Sequence, residues 1–242
     1  MRGAQGDLFG AGTPPAPVTL HRPGVGDSAG LRDSLMAELP LAQHQANMGG
    51  RLIPVPRLEA WIGEPGTPSY RFGGRSYDPQ PWTPWAHVLR ERVEHLAGER
   101  FPACFVNVYR GPADHIPWHA DNEPWIGPVI ASLSLGDARR FQLRHKASRE
   151  VVWDDALGAG DLIVMGAGCQ QDYEHRAPKG RVSGVRVVCA WCPGKQTYLG
   201  HKPGPDGGDS HGICPACRSR VQEGPAGAWR YQRINLTFRQ LR

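Results

Sequence analysis

Two polar clusters hold the residues most able to do chemistry: His119-Ala120-Asp121 and Arg233-Ile234-Asn235-Leu236-Thr237-Phe238-Arg239. Read as strands, each turns its polar groups to one face, because side chains alternate sides with a period of two. His119 and Asp121 then point the same way, as do Arg233, Asn235, Thr237 and Arg239. Ile234, Leu236 and Phe238 point to the other face, into a core. A strand with two arginines and an asparagine on one side and three large apolar residues on the other suits the wall of an anion pocket. His-x-Asp with one more histidine downstream is the two-imidazole, one-carboxylate set that holds one face of a non-haem Fe(II).

The third ligand has to be chosen among ten histidines. His175, in Tyr173-Glu174-His175-Arg176 beside a strand-like run, is the best placed. His115 and His145 are nearer in sequence but sit in loop-like or charged surroundings. The arginines suit a dicarboxylate co-substrate. 2-Oxoglutarate would chelate such an iron through its keto oxygen and one carboxylate, leaving the far carboxylate to a fixed cation. An arginine on a rigid strand offers that group a planar two-donor fork. Asn107 and Tyr109, two positions apart, add neutral donors on the same wall.

The elements that must position these groups are mostly short strands. Runs at 105–109, 129–135, 140–144, 151–153, 161–165, 173–176 and 233–241 are punctuated by Gly, Pro and Asp, and residues 51–77 read as short strands and turns. Such a rhythm predicts a sandwich or jelly roll. Two helices flank it. One is capped by Ser28, runs through Leu31, Leu35, Met36 and Leu39, and is limited by Pro40. The other covers 82–96, with Val88, Leu89, Val93 and Leu96 at helical spacing. The expected class is therefore mainly β with flanking helices (α+β).

Residues 1–26, rich in Gly, Pro and Ala, are expected to form a flexible tail. The main domain is expected over 27–186 and 230–242. Residues 187–229 break the strand rhythm and carry two Cys-x-x-Cys pairs, Cys189/Cys192 and Cys214/Cys217. Two such knuckles supply four thiolates for a tetrahedral structural Zn(II), so this stretch reads as an inserted zinc ribbon with four cysteine ligands. Coincidence or a redox pair is the plainer reading. His201 and His211 lie inside the insertion and could replace a cysteine at zinc, although four cysteines suffice. Cys104 is expected to be a small core residue.

At 242 residues and 40% hydrophobic content the chain can bury a sizeable core. No run reaches the length of a membrane span, and the N-terminus lacks the apolar stretch of a signal peptide. A cytoplasmic monomer is the expectation. The net charge is +5, and arginine outnumbers lysine 24 to 4. That bias fits either codon composition or a surface for phosphates.

The chain also resembles the AlkB family of Fe(II)/2-oxoglutarate dioxygenases. The similarity is carried by Asn107-Val108-Tyr109, by Asp114 through Pro124 with its Trp118-His119-Ala120-Asp121, and by Pro128 through Gly136. It continues in Phe141-Gln142-Leu143-Arg144-His145-Lys146, in Glu174-His175-Arg176, and in the specific closing motif Arg233-Ile234-Asn235-Leu236-Thr237-Phe238-Arg239. It covers about 50–186 and 230–242. The resemblance implies a double-stranded β-helix core, with iron on His119, Asp121 and His175. It implies 2-oxoglutarate on Asn107, Tyr109, Arg233, Asn235 and Arg239. By the family pattern Arg233 takes the far carboxylate, while Arg239 lies by the metal end and the base, within the catalytic group. Tyr70-Arg71-Phe72-Gly73-Gly74 matches the family's nucleotide-recognition segment. There Phe72 would stack on a flipped base, with Tyr70 beside it and His119 on the opposite wall. Trp61 and Pro54-Val55-Pro56-Arg57 belong to the same matching region.

Two departures stand out. Asn122 and Glu123 occupy the stretch from which some members reach the base edge, and either could do so. The cysteine-rich insertion replaces a short connection, and resembles a bacterial zinc ribbon attached to unrelated domains. Arg144, Lys146, Arg149, Lys179 and Arg181 are candidates for phosphate contacts, or a solvated charged face. Gln5-Gly6-Asp7-Leu8-Phe9 resembles the peptides by which bacterial repair proteins dock on the sliding clamp, with a chance apolar pair as the plainer reading.

The implied activity is oxidative demethylation of N-alkylated bases of the 1-methyladenine and 3-methylcytosine type in DNA repair. Oxygen and 2-oxoglutarate are consumed, and formaldehyde, succinate and CO2 released. An alkylated base pairs poorly and is easier to extrude. The alternatives are an RNA or protein demethylase or hydroxylase of the same class, and a non-catalytic zinc-ribbon module that binds nucleic acid or protein.

Overall fold

The structure is a computed structural model, and it describes residues 16–22, 25, 29–72, 74–158, 160–180, 185–189, 198–202, 209–212 and 233–241. In chain order the first elements are β1 (Val18–His21), α1 (Ala29–Glu38), β2 (Gln45–Met48), β3 (Arg51–Pro54), β4 (Leu58–Gly63), β5 (Tyr70–Phe72) and β6 (Arg75–Tyr77). Then come α2 (Pro84–Ala97), β7 (Ala103–Tyr109), β8 (Ile116–His119), β9 (Ile126–Gly136), β10 (Arg139–His145) and β11 (Val151–Leu157). The last are β12 (Leu162–Met165), α3 (Cys169–Asp172), β13 (Tyr173–Ala177), β14 (Val185–Cys189), β15 (Tyr198–Lys202), β16 (Asp209–Gly212) and β17 (Arg233–Leu241).

Two sheets make the core. A six-stranded sheet runs β1-β12-β9-β17-β7-β4 and a four-stranded sheet runs β11-β10-β13-β8. Their facing sides meet in one apolar cluster, where Phe105, Ile130, Ile163 and Met165 pack with Phe141, Leu143, Leu157 and Tyr173. This is the expected jelly-roll architecture, mostly strand with few helices.

The other face of the large sheet is covered by the helices. Ile234, Leu236 and Phe238 join Val106, Val108, Leu133 and Leu135 against Leu35 and Leu39 and against Ala86, Leu89 and Val93 of α2. Helix α2 starts with Pro84 in its first turn and ends at Gly98, whose φ of 69° only glycine adopts freely and whose N–H donates to the Glu94 carbonyl. Its buried stripe is Ala86, Leu89 and Val93, at i, i+3 and i+7. Val88, expected on that stripe, is 52% exposed, because it lies a third of a turn away from Leu89.

Two further expectations change. Val18–His21 is not tail: it pairs antiparallel with β12 at the edge of the large sheet. Four residues between proline-rich stretches are too short a pattern to stand out, and the pairing with Leu162–Met165 is what makes them a strand. The strand set of the insertion begins at Val185, two residues before the expected boundary, and β15-β14-β16 pair among themselves. Cys189 ends β14, whereas Cys192, Cys214 and Cys217 lie outside the described residues, as do Gln5–Phe9, Ser28 and Arg181. No described helix is long and apolar enough to cross a membrane.

Leu236 is fully buried between α2 and the sheet. Leu236→Ala is expected to destabilise the fold by about 2–5 kcal/mol, read as a lower urea midpoint at unchanged slope. A loss under about 1 kcal/mol would show that this face is not close-packed.

Candidate active site

The site forms between the two sheets. Strand β17 is hydrogen-bonded to β7 on one edge and β9 on the other, and Arg233 through Arg239 are all buried. The expected alternation holds, and the polar side lines a pocket between the two sheets, as expected for an anion wall. Register sets the neighbours: Arg233 lies opposite Tyr109, and Asn235 opposite Asn107. All four line one pocket together with Thr237, Arg239, Ser132 and the histidines of the facing sheet.

His119 ends β8 and lies directly across from His175 on β13, with ring centroids 4.2 Å apart. Asp121 arrives differently from the strand alternation expected for it. The strand stops at His119, and Asp121 sits in the irregular segment beyond, its backbone N–H donating to Gln170 Oε1 at 2.9 Å. His119 Nε2 is 4.0 Å from Asp121 Oδ1, and His175 Nε2 is 3.9 Å from Oδ2. The candidate donor atoms of the three residues all lie within 4.8 Å of one another.

The electrostatics suit a metal. His119 Nδ1 is 2.9 Å from the Pro117 carbonyl, which can only accept, so Nδ1 carries the proton and Nε2 keeps its lone pair. Burial lowers the pKa of His119; burial and then the neighbouring imidazole bring His175 down to about 3. Both rings are therefore neutral near pH 7. Burial opposes ionisation of Asp121, but the Arg239 guanidinium leads the effects that outweigh it and hold the carboxyl below its usual range. Arg239 Nη2 approaches Asp121 Oδ2 at 2.9 Å. Two neutral imidazoles and one carboxylate, aimed at one point, fit an Fe(II) site.

At the other end of the pocket Arg233 donates to Ser134 Oγ at 2.6 Å, while its Nε has no hydrogen-bond partner among the described residues. Burial lowers its pKa to about 10, the Tyr109 phenol opposes the shift, and Arg139 adds to it. A desolvated guanidinium with a free donor suits an anionic guest. Asn235 Nδ2 donates to Ser132 Oγ at 2.8 Å, and its Oδ1 accepts from Thr237 Oγ1 at 2.9 Å. Asn107 Oδ1 accepts from Arg57 Nε at 2.9 Å. The residues present thus fit a dicarboxylate as well as a metal.

Of the expected substrate residues, Phe72 stands at the pocket with its ring 6.0 Å from that of His119. Tyr70 lies beside it, ring centroids 6.4 Å apart, but is only 2% exposed, with the Arg239 guanidinium 4.5 Å from its ring. Asn122 is exposed, whereas Glu123 is half-buried near Tyr70; burial and then Asp121 raise its carboxyl. Three of the cationic candidates are already engaged. Arg144 and Arg149 pair with Glu174, and Lys146 Nζ donates to the Gln170 carbonyl at 2.8 Å. Lys179 is exposed.

Three contributors went unrecognised in the sequence. Gln170 holds Asp121, Phe141 stacks on His175 at 5.6 Å, and Glu59 supports Arg57 from below the pocket. Only Glu59 left a signal, as a lone carboxylate in the apolar run Leu58–Ile62.

The family model for the 2OG-Fe(II) oxygenase superfamily matches residues 27–239. The chain belongs to that superfamily. Membership implies Fe(II) and 2-oxoglutarate, and the His119–Asp121–His175 cluster fits the metal. Within the superfamily its relatives are AlkB homologues. It is 35% identical over 160 residues to alpha-ketoglutarate-dependent dioxygenase alkB homolog 3 of Rattus norvegicus, covering 62% of this chain and 53% of that protein. It is 38% identical over 138 residues to DNA oxidative demethylase ALKBH2 of Homo sapiens, covering 53% of this chain and 52% of that one. The chain thus spans about half the length of these relatives. The solved structure of OsALKBH1 shares the fold, with a TM-score of 0.51 at 16% identity over 94% of this chain and all of that one.

Because Gln170 fixes the backbone of Asp121, Gln170→Ala is expected to weaken Fe(II) binding about 10- to 100-fold. Anaerobic titration of the metal-free protein measures this; unchanged affinity would remove Gln170 from the support of Asp121.

Proposed function

We propose that this protein is an oxidative demethylase of N-alkylated nucleic-acid bases, DNA above all, using Fe(II), 2-oxoglutarate and oxygen. The observation that carries the reading is the convergence of two neutral imidazoles, an ionised carboxylate and an unsatisfied buried arginine on one pocket with an aromatic ring at its mouth. The relatives named as alkB homolog 3 and as a DNA oxidative demethylase support the same substrate class.

In this reading His119, Asp121 and His175 hold the iron. Arg233 clamps the far carboxylate of 2-oxoglutarate through its fork, with Tyr109 and Asn107 as neutral donors across the register and Asn235 beside them. Arg239 keeps Asp121 ionised and stands between the metal and the base. Phe72 stacks on an extruded base whose other side meets His119, and base–aromatic stacking contributes on the order of 1–3 kcal/mol. Glu123 is read as the residue that meets the base edge, its half-buried position near Tyr70 supporting it over the exposed Asn122. When bound, Fe(II) with 2-oxoglutarate supplies the oxidation that turns an N-methyl group into a hydroxymethyl adduct, which leaves as formaldehyde. The protein orients the methyl and excludes water.

The deciding experiment incubates oligonucleotides carrying 1-methyladenine or 3-methylcytosine, and RNA and peptide counterparts, with Fe(II), 2-oxoglutarate and oxygen. Loss of one methyl group by mass, with formaldehyde and succinate in equal amounts, is expected for DNA. His175→Ala should abolish succinate formation, and near-normal turnover would remove His175 from the ligand set.

The paired cysteines are read as a structural zinc site bracing the insertion, and Gln5–Phe9 as a contact for the sliding clamp. Cys214→Ser should lower bound zinc while leaving iron-dependent succinate formation in place. Unchanged zinc content would count against the ribbon.

A further inference from the structure

Glu59 is fully buried in β4, and its two oxygens serve two different parts of the molecule. Oε1 pairs with Arg57 Nη2. Oε2 accepts from the Tyr77 hydroxyl at 2.7 Å and from Arg75 Nη1 at 3.0 Å, with His44 Nδ1 at 3.4 Å. The first arm leads to the pocket floor. Arg57 donates from Nε to Asn107 Oδ1 at 2.9 Å and from Nη1 to the His115 carbonyl at 3.2 Å. Both Arg57 and Asn107 line the pocket.

The second arm leads to the hairpin that carries Phe72. β5 and β6 pair with Tyr70 opposite Tyr77 and Phe72 opposite Arg75, through a tight connection in which Gly74 has a φ of 74°. Arg75 Nε donates to the Phe72 carbonyl at 3.3 Å, and its guanidinium lies 5.6 Å from the Phe72 ring. A two-stranded hairpin this short does not hold its own position in water. Its anchoring therefore depends on the buried Tyr70 and Tyr77 rings and on the Arg75–Glu59 pair.

A carboxylate buried this deeply is costly unless every oxygen is paired, and an apolar side chain would fill the space at less cost. What an apolar residue could not do is hold two guanidiniums that point in different directions. We propose that Glu59 is a positioning residue that couples the floor of the 2-oxoglutarate site, through Arg57 and Asn107, to the base-stacking hairpin, through Arg75 and Tyr77. The coupling rests on the proposed reading of the pocket as a cofactor and nucleobase site. It implies that loss of the Glu59 charge is felt at both ends, whereas loss of one arm is felt mainly at its own end.

The test compares wild type, Glu59→Gln, Arg75→Met and the double variant on a methylated oligonucleotide, measuring both KM values and the succinate formed per formaldehyde. Glu59→Gln, which keeps volume but removes charge, should raise KM for 2-oxoglutarate and for oligonucleotide, each about tenfold, and raise succinate per formaldehyde. Arg75→Met should raise the oligonucleotide KM with a much smaller change for 2-oxoglutarate. The double variant should be no worse for oligonucleotide than Glu59→Gln alone, since both changes cut one arm. Wild-type KM values in Glu59→Gln, additive effects in the double variant, or a loss confined to the active fraction at unchanged KM would overturn the coupling. Should Glu59→Gln fail to fold, an unchanged oligonucleotide KM in Arg75→Met overturns it instead. If wild type releases no formaldehyde from any methylated oligonucleotide, the functional reading itself fails, and the coupling with it.

Discussion

Strand β17 is held on both edges by β7 and β9, and that register governs everything in the pocket. Side chains alternate strictly along a strand, so a slip of one residue would turn Arg233, Asn235, Thr237 and Arg239 into the helix-covered core and Ile234, Leu236 and Phe238 into the pocket. Neither face would tolerate the exchange. Burying two guanidiniums among Leu35, Leu89 and Val93 would leave charges with no partner, and the pocket would lose two of its three arginines. The apolar packing on one side of the sheet therefore selects the arrangement of the chemical groups on the other.

That selection sets up an electrostatic imbalance with a direction. Burial neutralises His119 and His175, yet Asp121 stays ionised because Arg239 lies 2.9 Å away. Arg239 is thereby partly satisfied from within the protein. Arg233, by contrast, has hydroxyl and carbonyl acceptors, and the nearest carboxylate acting on it, Asp161, is paired with Arg22 instead. A cation kept out of water, with no carboxylate paired to it among the described residues, suits an anionic guest, so the two arginines of one motif sit in different electrostatic settings despite sharing a strand face. The carboxylate of Glu59 extends the same logic beneath the pocket, where it pairs with both Arg57 and Arg75.

Much of this is legible in the order of residues alone. The Arg-x-Asn-x-Thr-x-Arg alternation places three apolar residues in the core and four polar ones in a pocket, and both placements agree with the burial of β17. The short-strand rhythm agrees with the sheets at β7, β9, β10, β12 and β13. What it misses has local physical causes. Val18–His21 owes its strand character to β12 rather than to its own composition. Val88 obeys a helical period, but on the wrong side of Leu89 by one position. Asp121 reaches its place through an irregular segment and a glutamine that follows no spacing rule.

The sequence by itself determined which groups could be ligands and cations, because residue type sets donor chemistry and a two-residue period sets the face. It also determined the family, since the residues that distinguish it are contiguous in short motifs. Only the tertiary structure decided that His119 lies across from His175, that Arg233 has no paired carboxylate among the described residues, and that Tyr70 is buried between Phe72 and Arg239. Those are statements about distance and burial between segments far apart in the chain. They arise from strand pairing and close packing, which a linear order of residues constrains but does not measure.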